Sequence, residues 1–449
     1  MRDDPDLQAL TAALLDAARS AGAEQADALA VGGASLSVEV RGGRLEHAER
    51  ADGTEIGLRV LIGGRQACVA ASELSPQTMR EMAERAVAMA REAPVDDALA
   101  LADPSQLAPA YDGALELCEL ADGPSPETLL DAALRAEAAA LEVDGVRVID
   151  SANAAYARRD LFLATSNGFG AGFARSSHSI SAVAITGEGT GMDRDWAAES
   201  RVWAQDMPAP ESIGRLAGER TAARAGARRP PTGAVPVIFD QRVAPGLIGH
   251  LLSAVNGSAV ARGATWLRDA LGEQVLPPGF DLIEDPRLPR FGASRPFDAE
   301  GLPTAARAIV RDGVLQGWTL DIATANKLGL QSTASAMRGA SSPPSPGVSN
   351  IRLSPGAVTP EQMVRDLGRG LIVTSFLGSS INPTTGDYSR GAAGFWVEGG
   401  EIAYPVNECT IAGNLRDMLM RMTAACDLPD WRSHAVPTLL VEGMTLAGG

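Results

Sequence analysis

Histidine is scarce in this 449-residue chain. There are four, His47, His178, His250 and His434, and no two are near one another in sequence. A zinc site needs about three donors brought together, most often His, Cys, Asp or Glu. Neither HExxH, HExxxH nor a Cys–His cluster occurs, so only a site assembled from distant parts stays open. Cysteine is equally rare. Cys68, Cys118, Cys409 and Cys426 form no CxxC pair, which reads as free thiols in a reducing compartment rather than a disulfide framework. No apolar run approaches the ~18 residues of a membrane-spanning helix. The acidic opening Met1–Asp6 lacks the apolar segment of a secretory leader. A cytoplasmic chain without membrane contact is expected. Basic residues are also outnumbered, 39 against 56 acidic ones, for a net charge of −17. Binding to duplex nucleic acid draws on Lys and Arg displacing counterions from phosphates. With no basic run beyond Arg228-Arg229, direct nucleic-acid binding is rejected as a main activity, although a local basic groove is compatible with the overall charge.

Two common catalytic signatures are missing as well. There is no Walker A motif and no GxSxG; Gly378-Ser379-Ser380 comes nearest and lacks the second Gly of the nucleophile turn. His250 sits in the apolar stretch Pro245–Ser253, a plausible helix, and is read as a hydrogen-bonded core or interface residue rather than a ligand. Phe169-Gly170-Ala171-Gly172-Phe173 mimics part of a nucleotide loop but precedes no helical pattern, so it reads as a glycine-loosened strand. On chemistry alone the sequence does not declare an enzyme.

What is present is ordinary globular composition, 45% hydrophobic and 21% charged, with 48 Gly and 28 Pro and only 4% aromatic residues. Cores of Ala, Val and Leu joined by many turns follow from that mix. The length favours two domains. Apolar spacing predicts a helix over Leu7–Ala21. Ser75-Pro76 and Ser125-Pro126 open two more by placing an N-cap before a proline in the first helical position, the first running to about Glu92 and the second to about Leu141. The segments Ala28–Val31, Leu36–Val40, Ile56–Leu61 and Gln66–Ala70 read as strands, with Gly42-Gly43 and Gly63-Gly64 as hairpin turns. A β-rich run covers Val146–Ala204, and a helix is expected from Glu211 to Ala227. The break Arg228–Gly233 is the best domain boundary. Beyond it, Asp312-Gly313 and Gly399-Gly400 mark hairpins, and Thr359-Pro360-Glu361-Gln362 is a capping box. The fold class is α+β: a helix-and-sheet domain over 1–230, then a strand-rich domain over 231–449.

Three blocks are distinctive: Asn382–Phe395, Gly399–Val406 followed by Thr410–Leu415, and the ending Leu440–Gly449. With them the chain resembles the TldD/PmbA family, also called modulators of DNA gyrase, and within it the PmbA (TldE) branch. The resemblance covers nearly the whole chain and is strongest from Val235 onward. It implies an intracellular zinc metalloprotease built as a TldD–TldE heterodimer that degrades unfolded peptides. In the TldD branch an HExxxH helix and a later Cys hold the metal, and the Glu is the general base. Alignment places those helix positions on Ile248, Gly249 and Ser253 here, and the Cys-bearing segment near Trp431-Arg432-Ser433-His434, again without a thiol. The resemblance therefore implies no metal and no catalytic residue in this chain, zinc in a TldD-like partner, and a homodimer as an alternative assembly in isolation. Asn382, Thr385, Asp387 and Arg390 become candidates for lining a peptide chamber, with a turn-forming role as the simpler reading. A hydrolase in its own right, with an unrecognised site, and a non-enzymatic scaffold stay open as alternatives.

Overall fold

The computed structural model describes residues 6–448; the opening Met1–Pro5 and Gly449 lie outside the described residues. Local chemistry sets the first helices as expected. Helix α1 (Leu7–Ala21) starts where Asp6 accepts the Ala9 amide and stops at Gly22, whose φ of 95° ends the turn. Helices α2 (Pro76–Glu92) and α3 (Pro126–Leu141) are capped by the Ser75 and Ser125 hydroxyls, which accept the Thr78 and Thr128 amides. Helix α4 (Pro210–Ala222) ends earlier than the expected Ala227. There the Arg224 side chain is buried against Asp193 at 3.1 Å and Asp195 at 3.7 Å, and Gly226 takes φ 73°. A continued helix would not satisfy both.

Between these helices run six antiparallel strands: β1 (Gln25–Arg41), β2 (Arg44–Ile62), β3 (Arg65–Ala71), β4 (Val146–Thr165), β5 (Gly170–Thr186) and β6 (Asp193–Arg201). They form one sheet in the order β3-β2-β1-β4-β5-β6. The tight turns fall on Gly42-Gly43 and Gly63-Gly64, all with positive φ. The two expected segments on either side of Gly32-Gly33 are a single long strand. At Gly33 a Cβ would sit 2.4 Å from the Arg158 carbonyl oxygen of β4, so the glycine serves close strand approach rather than a break.

Side chains alternate across a strand, and one face of this sheet carries all four helices. Ala26, Ala28, Ala30, Ile56, Leu58 and Val60 meet α1 and α2. Val38, Val40, Ile149, Ala152, Ile180 and Ala182 meet α3 and α4. The opposite face meets the second half of the chain. Leu29, Leu163 and Phe169 pack on Phe297, with the Phe169 and Phe297 rings 5.1 Å apart and edge-on. At Gly57 a Cβ would lie 2.2 Å from the Ala340 carbonyl oxygen. Beside it, cross-strand neighbours Asp27 and Arg59 are ion-paired at 2.5 Å, and Arg338 reaches in from the second half to the same carboxylate; all three are almost fully buried.

The second half is strand-rich. Strands β7 (Gly233–Phe239), β8 (Arg369–Ile381), β9 (Asp387–Glu398), β10 (Glu401–Asn414) and β11 (Leu439–Ala447) run in the order β10-β9-β8-β7-β11, and β11 pairs back onto β10. That last pairing closes a barrel, in which β7 and β8 are parallel and the other pairs antiparallel. Val237, Phe239, Leu371, Val373, Ile411 and Val441 are part of its core. A smaller sheet from Leu282–Glu284, Arg307–Arg311, Val314–Leu315, Ile351–Leu353 and His434–Ala435 lies beside it. Asp312-Gly313 and Gly399-Gly400 make the expected hairpin turns. The capping box at Thr359 is half formed. Its hydroxyl accepts the Gln362 amide, but the Gln362 side chain turns to Asp366 at 2.6 Å instead of back to the cap. No helix among the described residues is long and apolar enough to cross a membrane.

Candidate functional site

Helix α5 (Ala244–Ala254) begins with Ala-Pro and buries Leu247, Ile248, Leu251 and Leu252 in the barrel core. The three positions aligned with a metal-binding helix lie on it. Ile248 is fully buried, while Ser253 is exposed and donates its hydroxyl to the Gly249 carbonyl at 2.9 Å. Gly249 faces open space, with nothing within 4 Å of an added Cβ. An alkyl group, a hydrogen and a hydroxyl already committed to the backbone do not fit zinc. Among the described residues no group of three His, Cys, Asp or Glu side chains gathers closely enough to hold a metal.

His250, between those positions, departs from the hydrogen-bonded residue expected of it. Its ring stands edge-on to Tyr388 at 5.8 Å, and its Nε2 is buried without a hydrogen-bond partner among the described residues. Burial, aided by the nearby Arg390 charge, holds its pKa below the usual imidazole range. The ring is therefore neutral near pH 7. The buried Tyr388 hydroxyl has its pKa raised, again chiefly by burial. Tyr388 and Arg390 are two apart on β9 and share one face of it. Tyr388 was not singled out from the sequence; the alternation of β9 is the signal that would have paired it with Arg390.

The chamber candidates fall into two places. Asn382, Thr385 and Asp387 come together in the turn between β8 and β9. The Asn382 side-chain oxygen accepts the amides of Thr384 and Thr385 at 2.9 and 3.2 Å. The Thr385 hydroxyl donates to Asp387 at 2.6 Å, and Asn414 donates to the Thr385 carbonyl at 3.0 Å and to the Asp387 carboxylate at 3.3 Å. This network fixes the hairpin end, yet all three candidates remain exposed. Arg390 stands apart from it. Its guanidinium lies 4.0 Å from the centre of the Phe376 ring, and its Nε donates to the Gly378 carbonyl at 3.2 Å.

Of the segment Trp431–His434, where a ligating Cys would be sought, Trp431, Arg432 and Ser433 lie on the rim of a cleft of about 620 Å³. The other wall is the part of β5 and β6 that the second half leaves uncovered. Six arginines line it: Arg175, Arg201, Arg220, Arg242, Arg290 and Arg432. They are scattered over the sequence, so no basic run announced them.

With this geometry in view, the likeness to known proteins is informative. Three profiles of PmbA/TldA metallopeptidases match: domain 1 over residues 26–90, the central domain over 119–225 and the C-terminal domain over 232–448. Metalloprotease PmbA of Escherichia coli O157:H7 is 37% identical over 444 residues, 98% of this chain and 95% of that one. The chain belongs to the PmbA/TldD metallopeptidase family. A PmbA homologue from Haemophilus influenzae is 35% identical over 92% of this chain and 90% of its own. Among solved structures, a candidate modulator of DNA gyrase from Bacteroides thetaiotaomicron superposes with a TM-score of 0.90 at 25% identity, covering 98% of each chain. TldE from Thermococcus kodakarensis shares the fold, with a TM-score of 0.85 at 20% identity, over 97% of this chain and 99% of that one. The first two PmbA/TldD profiles both fall on the six-stranded sheet and its helices; the third takes in the barrel and α5.

Proposed function

We propose that this chain is the non-catalytic, peptide-holding subunit of a zinc metallopeptidase pair that degrades unfolded peptides, its partner being a TldD-like chain with an HExxxH helix. The observation that carries this reading is α5, which presents Ile248, Gly249 and Ser253 where such a helix needs two imidazoles and a general base. Both ligands and base are missing together, and the first two positions face a closed core and empty space. Hydrolysis of an amide needs an activated water and a stabilised oxyanion, and zinc held by the partner supplies both. This chain contributes the chamber wall near Asn382, Thr385, Asp387 and Arg390, and the heterodimer gives way to a homodimer when the chain is alone. A cytoplasmic setting for the pair accords with four cysteines that are all free.

The test is a cleavage assay on an unfolded peptide with three samples: this chain, the partner, and their mixture. Chelator-sensitive cleavage is expected from the mixture, and none from this chain. Asp387→Ala or Arg390→Ala should slow the mixture without changing the partner's zinc content. Gly249→Glu, for which there is room, should fold and still give this chain no activity, since one residue restores neither ligand. Chelator-sensitive cleavage by this chain alone would overturn the proposal. So would equal rates for partner and mixture.

A further inference from the structure

The arginine-lined cleft is separate from the β8–β9 turn and carries Trp431, Arg432 and Ser433 on its rim. In a chain of net charge −17 it brings six guanidinium groups around one space, whose lining contains a single carboxylate among the described residues, Glu199. Four of the six are already paired. Arg201 meets Glu199 at 2.7 Å, Arg242 meets Asp240 at 3.0 Å and Asp195 at 3.1 Å, Arg290 meets Glu116 at 2.5 Å, and Arg432 approaches Glu199 at 4.0 Å. Arg175 and Arg220 have no carboxylate within ion-pairing distance among the described residues. Arg175 donates to the carbonyls of Gly292 and Ser294, and Arg220 to that of Trp196 at 3.1 Å. Burial first, then the charge of neighbouring arginines, pushes both down to about 10, and at Arg220 the more distant Asp240 and Asp195 offset this only in part.

The two lie far apart. Trp196, whose carbonyl Arg220 holds, is registered against Val183 on β5. Val183 is eight residues (183 − 175) beyond Arg175, or ~26 Å along a strand. A single small anion cannot serve both ends. An extended chain with carboxylates several residues apart can. The surface between them suits such a chain. Ser177, Ser179 and Ser181 alternate along β5 and offer hydroxyls to a passing backbone, while Trp196 and Trp431 are about half exposed and present aromatic faces. Arg201 stacks over the Trp431 ring at 5.2 Å, which holds that ring in place.

We infer that this cleft binds an acidic stretch of extended peptide, with carboxylates at its two ends taken by Arg175 and Arg220. This rests on the reading of the chain as a peptide-holding subunit and adds a preference for acidic sequence.

Fluorescence anisotropy on the full chain alone, without a partner, provides the test. The probe is a fluorescein-labelled, unstructured ten-residue peptide with glutamates near both ends, compared with its glutamine counterpart. The glutamate peptide should bind more tightly by tenfold or more, and its affinity should fall as salt rises. Arg220→Gln should weaken it about tenfold, the loss expected for one charged hydrogen bond. Arg220→Lys should keep most of the affinity, which separates lost charge from a damaged fold. Inorganic pyrophosphate should compete only weakly. Equal binding of the two peptides, an unchanged affinity in Arg220→Gln, or displacement by pyrophosphate as effective as by unlabelled peptide would each overturn the inference. Because no cleavage is measured, failure of the mixed-subunit assay with this binding intact would remove the catalytic pairing and leave the cleft standing. The reverse result would remove the cleft alone.

Discussion

Asp27→Asn removes a charge from the seam between the two halves. In the native chain its carboxylate holds Arg59 from the neighbouring strand and Arg338 from the second half, with each of the three side chains at most 4% exposed. The amide keeps the shape but leaves two guanidinium groups buried without their counter-charge. Removing one partner of a buried ion pair typically costs about 3–5 kcal/mol, because the remaining charge is left uncompensated. At ~2.1 cal/mol/K per residue, unfolding 449 residues carries an entropy of about 0.9 kcal/mol/K, so the melting temperature should fall by about 3–5 °C. Scanning calorimetry on Asp27→Asn and the parent at one pH measures this directly. The triple variant Asp27→Leu, Arg59→Met, Arg338→Met removes all three charges and should recover a large part of the loss. A drop of less than about 1 °C in Asp27→Asn would refute the claim that the three charges depend on one another.

Three other outcomes are expected. Gly57→Ala, which drives a Cβ to 2.2 Å from the Ala340 carbonyl oxygen, should destabilise by about 1–3 kcal/mol as overpacking does; Gly53→Ala, on the same strand with nothing within 4 Å, should be far milder, and equal melting temperatures would sink the argument. Glu300 is buried beside Asp298, and burial first, then the neighbouring carboxylate, pushes its pKa up to about 8 from an ordinary 4.5. The folded chain thus binds the extra proton between those values, so this stability is present below pH ~4.5 and lost as pH rises through ~8. Glu300→Gln should flatten the decline of melting temperature over that range, and parallel profiles for variant and parent would contradict it. Finally, burial raises the pKa of Cys68 and Cys409 to about 11 and also raises that of Cys118, while Cys426 is exposed. Ellman's reagent on the native chain should show one fast thiol, abolished by Cys426→Ser, and a second equally fast thiol would count against these placements.

What could be read in the sequence is mostly what short-range chemistry decides. Ser75-Pro76 and Ser125-Pro126 set their helix starts because cap and first residue are adjacent in the chain. Gly42-Gly43 and Asp312-Gly313 set hairpins for the same reason. One long strand was read as two segments on either side of Gly32-Gly33 because the reason for Gly33 is the backbone of β4, more than a hundred residues away. Helix α4 stops short because Arg224 is drawn to acids on β6, again a distant partner. The α5 positions were legible as unsuited to zinc from residue type, but not the exposure of Ser253 opposite the burial of Ile248. The cleft arginines were invisible for a different reason: a local search for basic runs cannot find six residues that only the fold assembles.

The closing of the barrel by β11 onto β10 has a consequence for how the chain comes off the ribosome. Strand β7 is made some two hundred residues before β11, yet β11 lies between it and β10. Until residues 439–447 emerge, β7 and β10 each expose an unpaired edge, and only then can the ring shut. The six-stranded sheet, complete by Arg201 and roofed by Ala222, is free to fold long before, as domains generally do during synthesis. During translation the finished first half would be tethered to a sticky, open-edged second half. A chain stalled or cut before residue 439 should therefore aggregate through the barrel strands while its first half resists proteolysis.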